Sequence, residues 1–424
     1  MTIKTKELPY EVVAALPRPK HKKPLRQNPA LKYLIKVLSI PAMIKTHFEL
    51  NEINMEKLGK NEPALILMNH TAFIDMKIAS TVLFPRSFGI VTTIDGFIGL
   101  GPLMRLLGCI PTNKFTFDPV LIKDIIYTIR ELKSSVLMYP EASYSFDGTA
   151  TPLPDSLAKF IKLLGAPVVM IKTNGAFQRD PLYNGLQLRK TNINADMEYI
   201  LSPEDTKKLS VAQIQDILND KFSFDAFQYQ KDNNIKVTES FRADHLERVL
   251  YKCPHCNSEN TTIGKGIHLT CTSCGKKYEL DEYGYMRALD GETVFDHVPD
   301  WYRWQRECVK KEIEDGIYSL ECEVDIYMLV NTKCMYKVGD GHLSHSINGF
   351  HLTGCNGKLD YVQSAQSNYS LYADYNWYEK GDVIAFGNRN EYFYCIPKDK
   401  TVSVAKARLA TEEIYKKIKD SKEK

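Results

Sequence analysis

Short apolar runs alternate with segments of helical periodicity between about Thr46 and Leu201. The apolar runs are Ala-Leu-Ile-Leu-Met at 64–68, Val-Leu-Met-Tyr at 136–139 and Pro-Val-Val-Met-Ile at 167–171, and a helical pattern occupies 120–133. This alternation of strands and helices is typical of domains built around parallel strands. The sequence therefore predicts an α/β domain with a central, mostly parallel sheet.

Length and charge limit the classes of protein to which this chain can belong. At roughly 100 to 200 residues per domain, its 424 residues predict about two to four domains. Its 55 lysines and arginines against 52 aspartates and glutamates leave a net charge of +3, so nucleic acid is not an expected partner of the whole chain. The N-terminus lacks a signal-peptide pattern, and no apolar run reaches the ~20 residues of a membrane-spanning helix. We therefore expect a cytoplasmic protein.

Residues 12–48 form a basic segment that contains eight lysines and arginines and no acidic residue. Within it, residues 29–43 carry apolar side chains at roughly helical spacing, which favours a helix lying on an anionic membrane surface. The protein would then associate peripherally with the inner face of the membrane. The other interpretation is a solvated basic tail followed by a helix that packs on the core.

The C-terminal part of the chain has a different pattern. Residues 301–314 predict a helix, several strand-like runs follow between about residues 316 and 396, and residues 402–419 predict a final helix. The Asn-Gly pair at 348–349 is a hairpin signal. Strands followed by one closing helix suit a small barrel or a sandwich.

Four of the ten cysteines form two Cys-x-x-Cys pairs, Cys253 with Cys256 and Cys271 with Cys274. In a chain without a secretion signal, cysteines indicate reduced thiols or metal ligands rather than disulfides. Four thiolates at this spacing can enclose Zn²⁺ tetrahedrally and leave no open position for catalysis. We therefore predict a structural zinc ribbon, with free thiols or two redox pairs as the alternative.

The sequence Asn-His-Thr-Ala-Phe-Ile-Asp directly follows the apolar run 64–68 and places His70 and Asp75 five residues apart. The carboxyl ends of strands are where α/β sheets usually hold their sites. Asp75, on the first turn of the next helix, could hydrogen-bond one nitrogen of His70, so that the other nitrogen removes a proton from a hydroxyl. Taken alone, the spacing also fits a core histidine and an unrelated aspartate.

Four segments, in this order, resemble the motifs of the lysophospholipid acyltransferase family over roughly Leu34 to Leu201. The first motif, Asn-His followed by four residues and Asp, matches Asn69, His70 and Asp75. The second, a Gly-x-Ile stretch, resembles Gly-Cys-Ile-Pro-Thr-Asn-Lys at 108–114, and the third resembles Pro-Glu-Ala-Ser-Tyr-Ser at 140–145. The fourth, a strand rich in valine and proline, resembles Ala-Pro-Val-Val-Met-Ile at 166–171.

This resemblance implies a reaction and a set of site residues. In the family, the histidine activates an acceptor hydroxyl for direct attack on an acyl thioester, and motifs two and three hold the acceptor's phosphate. The chain would then transfer a fatty acyl group from acyl-CoA or acyl carrier protein to a lysophospholipid, with 1-acylglycerol-3-phosphate as the expected acceptor. His70 and Asp75 would be catalytic, and the acceptor-binding residues would be Asn69, Lys114, Glu141 and Tyr144.

Motifs two and three depart from the family pattern. Lys114 stands where an arginine is usual, Ala142 replaces a glycine and Tyr144 replaces an arginine. An arginine holds a phosphate through a planar fork, whereas a lysine offers one compact charge and a tyrosine only a hydroxyl. An acceptor without a terminal phosphate is therefore the alternative. For Lys114 the other interpretation is an exposed surface lysine, and for Glu141 it is a helix cap.

These predictions divide the chain into four parts. They are a basic membrane-surface segment at 1–48, an acyltransferase domain at 49–245, a zinc ribbon at 246–285 and a β-rich C-terminal domain with a terminal helix at 286–424. The rival class is a non-catalytic protein whose zinc ribbon binds a partner and whose N-terminal domain is a degenerate enzyme. The intact pair of His70 and Asp75 favours the enzyme.

Overall fold

A computed structural model describes residues 3–116 and 118–423. The chain begins with strand β1 (Thr5–Glu7), helix α1 (Tyr10–Ala14) and helix α2 (Pro29–Lys45). The side chain of Asn28 caps α2 by accepting hydrogen bonds from the amides of Ala30 and Leu31. The segment with helical spacing at 29–43 is thus a helix. Within the described residues, no helix is long and apolar enough to cross a membrane.

The first sheet is mixed and mostly parallel. Its strands are β2 (Glu49–Ile53), β3 (Leu65–Met68), β4 (Phe88–Thr93), β5 (Cys109–Thr112), β6 (Ser135–Met138), β7 (Val168–Asn174) and β8 (Asn194–Leu201). They lie in the order β2-β8-β7-β3-β6-β4-β5, and only the β7–β8 pair of these described strands is antiparallel. Strand β3 is buried along its whole length, because it lies between β7 and β6. The predicted mostly parallel sheet is present.

Helices cover both faces of this sheet. They are α3 (Asp75–Val82), α4 (Gly101–Leu106), α5 (Pro119–Arg130), α6 (Ser156–Leu164), α7 (Ala176–Arg179), α8 (Pro203–Lys208), α9 (Val211–Phe222) and α10 (Ala226–Asp232). Successive residues of β3 point to opposite faces. Ile66 packs in a cluster with α2 and α3, and Leu65 packs in a cluster with α5, α6 and α9. The result is a three-layer α/β architecture in which the carboxyl ends of β3, β4, β5 and β6 share one edge.

The second sheet surrounds the four cysteines. Its strands are β9 (Thr262–Lys265), β10 (His268–Cys271), β11 (Lys277–Leu280) and β12 (Met286–Ala288), and neighbouring strands are antiparallel. Helix α11 (Val298–Glu314) packs against this sheet. The ring of Trp301 meets that of Tyr278 edge-on at 5.0 Å, and its indole nitrogen donates to the carbonyl of Lys252. The small sheet therefore gains apolar packing that its own residues could not provide.

The third sheet is β-rich and closed by a long helix. Its strands are β13 (Leu320–Met328), β14 (Met335–Ser346), β15 (Gly349–Gly354), β16 (Leu359–Ser364), β17 (Tyr372–Asp374), β18 (Val383–Gly387) and β19 (Tyr392–Pro397), followed by α12 (Val404–Glu423). They lie in the single order β16-β15-β14-β13-β19-β18-β17, and β1 pairs in parallel with β14. The predicted Asn-Gly hairpin joins β14 to β15.

One apolar cluster joins the second and third sheets to loops and helices that surround the first sheet. It contains Phe146 from the loop after β6, Leu269 from the second sheet, Phe386 from the third sheet and Leu409 from α12. Helix α12 is therefore packed against the loop that carries the third motif. This contact brings residues of the C-terminal region to the edge of the first sheet where the first and third motifs lie.

Candidate active site

His70 and Asp75 form a hydrogen-bonded pair at the carboxyl end of β3. The Nδ1 atom of His70 lies 3.0 Å from Oδ2 of Asp75, which is the first residue of α3. The same oxygen accepts hydrogen bonds from the backbone amides of Thr71 and Ala72. The Asp75 side chain is fully buried and held by these amides. Its position is therefore fixed independently of its contact with the imidazole.

The state of the imidazole follows from this contact. A carboxylate beside Nδ1 favours the tautomer in which Nδ1 carries the proton, which leaves Nε2 as the basic nitrogen. Among the described residues, Nε2 of His70 has no hydrogen-bond partner. Burial lowers the pKa of His70 from its ordinary value, and the carboxylate of Asp75 opposes this shift only in part. The imidazole is therefore neutral near pH 7 and able to accept a proton.

Two tyrosine rings enclose the imidazole. Tyr139 stacks on His70 with ring centres 4.1 Å apart, and Tyr144 stacks with ring centres 4.0 Å apart. Tyr139 directly follows β6, and Tyr144 belongs to the third motif. The rings restrict rotation of His70 about its side-chain bonds, so they help to keep Nδ1 on Asp75.

Glu141 ties the third motif to the first. Its Oε2 accepts a hydrogen bond from the backbone amide of His70 at 3.0 Å, and its Oε1 accepts from the amide and the hydroxyl of Thr151. The amide of Ser145 donates in turn to the carbonyl of His70. Burial raises the pKa of Glu141 to about 7. Glu141 thus contacts the backbone of His70 and of Thr151. These contacts are those of a residue that orients the site.

Ala142 adopts a backbone conformation that usually requires glycine. Its φ angle is 57°, in the left-handed region where a Cβ atom is unfavourable. The turn begins with a hydrogen bond from the Ala142 amide to the carbonyl of Tyr139. The motif's usual glycine is thus explained by the turn, which this chain forms with an alanine.

Asn69 is fully buried and holds the end of β7. Its amide nitrogen donates to the carbonyl of Thr173, and its Oδ1 accepts from the Thr173 amide and hydroxyl. These contacts fix β3 against β7 immediately before His70. An acceptor-binding role for Asn69 stays a prediction, since its described contacts are all with the protein.

Lys114 follows β5 and faces the C-terminal sheet. Its Nζ lies 4.0 Å from the ring centre of Tyr372, and its carbonyl accepts a hydrogen bond from the hydroxyl of Tyr392. The charge of Lys114 acts on His70 and lowers the pKa of the imidazole. Lys114 is thus a partly buried cation that acts on His70, rather than an exposed surface lysine.

The structure adds five residues that no sequence motif indicated. They are Asp95, Tyr139, Tyr372, Asp374 and Arg408, which lie around His70, Lys114 or the third motif. Arg408 on α12 donates to the carbonyl of Tyr144 at 3.4 Å and pairs with Glu412. Of these residues, only Tyr139 could have been found from the sequence, because it directly precedes the third motif. The others come from distant parts of the chain or match no motif.

The four cysteines form a cluster that could hold a metal ion. Their sulfur atoms all lie within 4.8 Å of one another. The Cys253 and Cys274 sulfurs are 3.8 Å apart, and those of Cys256 and Cys271 are 3.7 Å apart. Four sulfurs placed tetrahedrally at about 2.3 Å from a zinc ion are about 3.8 Å from one another. The donor atoms and their spacing therefore fit tetrahedral Zn²⁺.

One known protein family matches the part of the chain that forms most of the first sheet. Residues 49–172 match the model of the Acyltransferase family. The crystal structure of the 1-acyl-sn-glycerophosphate (LPA) acyltransferase PlsC from Thermotoga maritima is similar to this chain, with 11% sequence identity and a TM-score of 0.38. The similarity covers 45% of this chain and 76% of that chain. A comparison with curated proteins gives no match.

Proposed function

We propose that this chain, which carries an acyltransferase domain in residues 49–172, transfers a fatty acyl group from a thioester to the hydroxyl of a lysolipid. The observation that carries the proposal is the contact between Nδ1 of His70 and the buried carboxylate of Asp75. This contact leaves a neutral, basic Nε2 at the carboxyl edge of the first sheet. A general base at this position supports proton removal from an acceptor hydroxyl.

The chemistry can be written without a covalent enzyme intermediate. Nε2 of His70 accepts the proton of the acceptor hydroxyl while the hydroxyl oxygen attacks the thioester carbonyl carbon. Collapse of the tetrahedral adduct breaks the carbon–sulfur bond and forms the ester, and the imidazolium returns its proton to the leaving thiolate. Asp75 stabilises the imidazolium through its 3.0 Å contact. The thioester would be acyl-CoA or acyl carrier protein.

Glu141 and Asn69 would act as positioning residues in this reaction. Glu141 holds the His70 amide, and Asn69 joins β3 to β7 directly before His70. The rings of Tyr139 and Tyr144 hold the imidazole plane. These contacts support a fixed direction for Nε2, on which proton transfer depends.

Two classes of acceptor fit the residues near Lys114. A lysophospholipid such as 1-acylglycerol-3-phosphate would place its phosphate near the ammonium of Lys114, which stands at the motif-two position. A lysolipid without a terminal phosphate is favoured by a specific observation. The carboxylates of Asp95 and Asp374 act electrostatically on Lys114, and Tyr144 supplies a ring on His70 where the family has an arginine.

The four-cysteine cluster would hold one structural Zn²⁺ through Cys253, Cys256, Cys271 and Cys274. A zinc ion with four thiolates supplies stability to its surrounding loops and has no free position for substrate. The cluster belongs to the second sheet, which shares a core with α11 and α12. Zinc would therefore support the helix that contacts the third motif, without taking part in acyl transfer.

The membrane surface is the proposed location of the reaction. Helix α2 exposes the apolar side chains of Leu38 and Ile44, which are 63% and 68% exposed. Lysines and arginines of the basic segment at 12–48 lie on and before this helix. Exposed apolar groups combined with positive charge are typical of helices that bind anionic lipid surfaces.

The test measures thioester consumption by the purified full-length protein with a lysolipid acceptor. His70→Ala should lower turnover by about 100-fold to 10,000-fold, since this is the usual cost of removing a general base. Asp75→Asn should also be severe. The matched control is His351→Ala, because His351 also pairs with an aspartate, Asp360, but lies on the surface of the third sheet. Near wild-type turnover in a folded His70→Ala protein would refute the mechanism.

A further inference from the structure

Both the side chain and the backbone of Lys114 contact the third, C-terminal sheet. Its Nζ lies over the ring of Tyr372 on β17, at 4.0 Å from the ring centre. Its carbonyl accepts a hydrogen bond of 3.1 Å from the hydroxyl of Tyr392 on β19, 278 residues away in the sequence. The residue at the motif-two position is therefore positioned by strands that lie outside the acyltransferase domain.

Tyr372 belongs to a polar network that spans two sheets. Its hydroxyl donates to Oδ2 of Asp95 at 3.4 Å and accepts a hydrogen bond from the indole nitrogen of Trp377 at 3.1 Å. Asp95, which is only 2% exposed, follows β4 of the first sheet. The network thus joins the carboxyl end of β4 to β17, directly beside Lys114.

The charges around Lys114 do not leave a net positive site. The carboxylates of Asp95 and Asp374 both act on the Lys114 ammonium, and the other cation that acts on it is Arg408. Arg408 is paired with Glu412, whose Oε1 lies 3.2 Å from the arginine Nε and whose other oxygen pairs with Arg306. Even with the full charge of Arg408 counted, the two carboxylates balance the two cations.

Burial makes the electrostatic interactions among these charged groups stronger. It lowers the pKa of Lys114, and it raises the pKa of Asp374 to about 6 despite the nearby ammonium. A phosphate group with one or two negative charges would enter a partly buried region that already holds two carboxylates. Like charges in such a region repel more strongly than they do in water. Hydroxyl groups, in contrast, can donate to carboxylates and accept from an ammonium.

We infer that the C-terminal sheet completes the headgroup end of the acceptor site, and that Asp374 together with Asp95 selects a lysolipid with an uncharged, hydroxyl-bearing headgroup over one with a terminal phosphate. This inference rests on the proposed acyl transfer at His70. It assigns Asp374 a role in specificity and Tyr372 a positioning role beneath Lys114.

The experiment compares two acceptors, 1-acylglycerol-3-phosphate and the uncharged monoacylglycerol, by their kcat/KM values with the full-length protein. The wild-type protein should prefer monoacylglycerol. Asp374→Asn should shift the ratio of the two values towards the phosphate acceptor by about tenfold, because it removes one negative charge near Lys114. Asp95→Asn should shift the ratio in the same direction. Asp360→Asn, on the exposed part of the same sheet, is the matched control and should leave the ratio unchanged.

Binding gives a second readout that does not depend on turnover. Equilibrium binding of the two lipids to His70→Ala protein, with and without Asp374→Asn, measures the same selectivity. A strong wild-type preference for the phosphate lipid, or a ratio that neither Asp374→Asn nor Asp95→Asn changes, would overturn the inference. Loss of the proposed function looks different, because thioester consumption would then be insensitive to His70→Ala with either acceptor.

Discussion

The phenol ring of Tyr144 lies on the imidazole of His70, with ring centres 4.0 Å apart and an interplanar angle of 30°. The third motif of the lysophospholipid acyltransferases has an arginine at this position. The chain thus exchanges a residue able to hold a phosphate for one that supports the proposed base. In the proposed reaction, the same exchange connects the orientation of His70 with the choice of acceptor.

Removal of the Tyr144 ring should reduce turnover. Tyr144→Ala should lower kcat by about 2-fold to 12-fold, the equivalent of one aromatic contact, because His70 loses one of its two ring contacts. Tyr144→Phe keeps the ring and should stay close to wild type. Steady-state kinetics of both variants give the answer. If Tyr144→Phe raises KM for the acceptor as strongly as Tyr144→Ala does, the hydroxyl binds the acceptor and the stacking explanation is wrong.

Replacement of Glu141 by glutamine should destabilise the loop that carries the third motif. Both carboxylate oxygens of Glu141 accept hydrogen bonds, so Glu141→Gln places an NH₂ group against the amide of either His70 or Thr151. We expect a loss of about 1–3 kcal/mol in the free energy of unfolding, together with lower turnover. Denaturant titration measures the loss. Glu204→Gln, an exposed glutamate of α8, serves as the control, and equal stability of the two variants would contradict the role assigned to Glu141.

The pH profile should reflect the lowered pKa of His70. The base acts only when unprotonated, and burial lowers the pKa of His70 below its ordinary value of 6.5. On the acid side of the profile, the rate should therefore fall to half of its maximum at a pH below 6.5. Measurement of kcat/KM between about pH 5 and 8 reports this pKa in the free enzyme. A half-maximal rate above pH 7 on the acid side would contradict the prediction.

Metal analysis of the reduced, freshly purified protein should find about one zinc ion per chain. Cys274→Ser should lose the metal and lower the melting temperature, because binding energy at a structural zinc site contributes to folding. Cys308→Ser is the matched control, since Cys308 on α11 is not part of the cluster. Equal zinc content in both variants would exclude the proposed ligand set.

Sedimentation with lipid vesicles tests the membrane surface. The wild-type protein should sediment with anionic vesicles more than with neutral ones, with each basic side chain near the surface contributing about 1 kcal/mol. The double change Leu38→Asp and Ile44→Asp on α2 should abolish this binding. Val362→Asp changes an equally exposed apolar residue, at 68%, on β16 and should have no effect. Equal sedimentation with both kinds of vesicle would count against the proposal.

Some of the site could be predicted from the sequence because it depends on local geometry. His70 and Asp75 lie five residues apart, and a strand end followed by a helix's first turn brings such residues together whatever surrounds them. The paired cysteines behave similarly, since a tight turn brings the two sulfurs of each pair into the same cluster. The mostly parallel sheet followed from apolar runs whose length and spacing are also local properties.

The surroundings of Lys114 were decided by tertiary structure alone. Tyr372 and Asp374 lie on a strand that matches no motif, and Arg408 lies on a helix whose sequence pattern predicts only its apolar side. Periodicity shows which face of an element is buried but not which other element buries it. Packing of the third sheet and α12 against the loops that follow the first sheet's strands determined those partners, because the shared apolar core fixes where distant polar side chains meet.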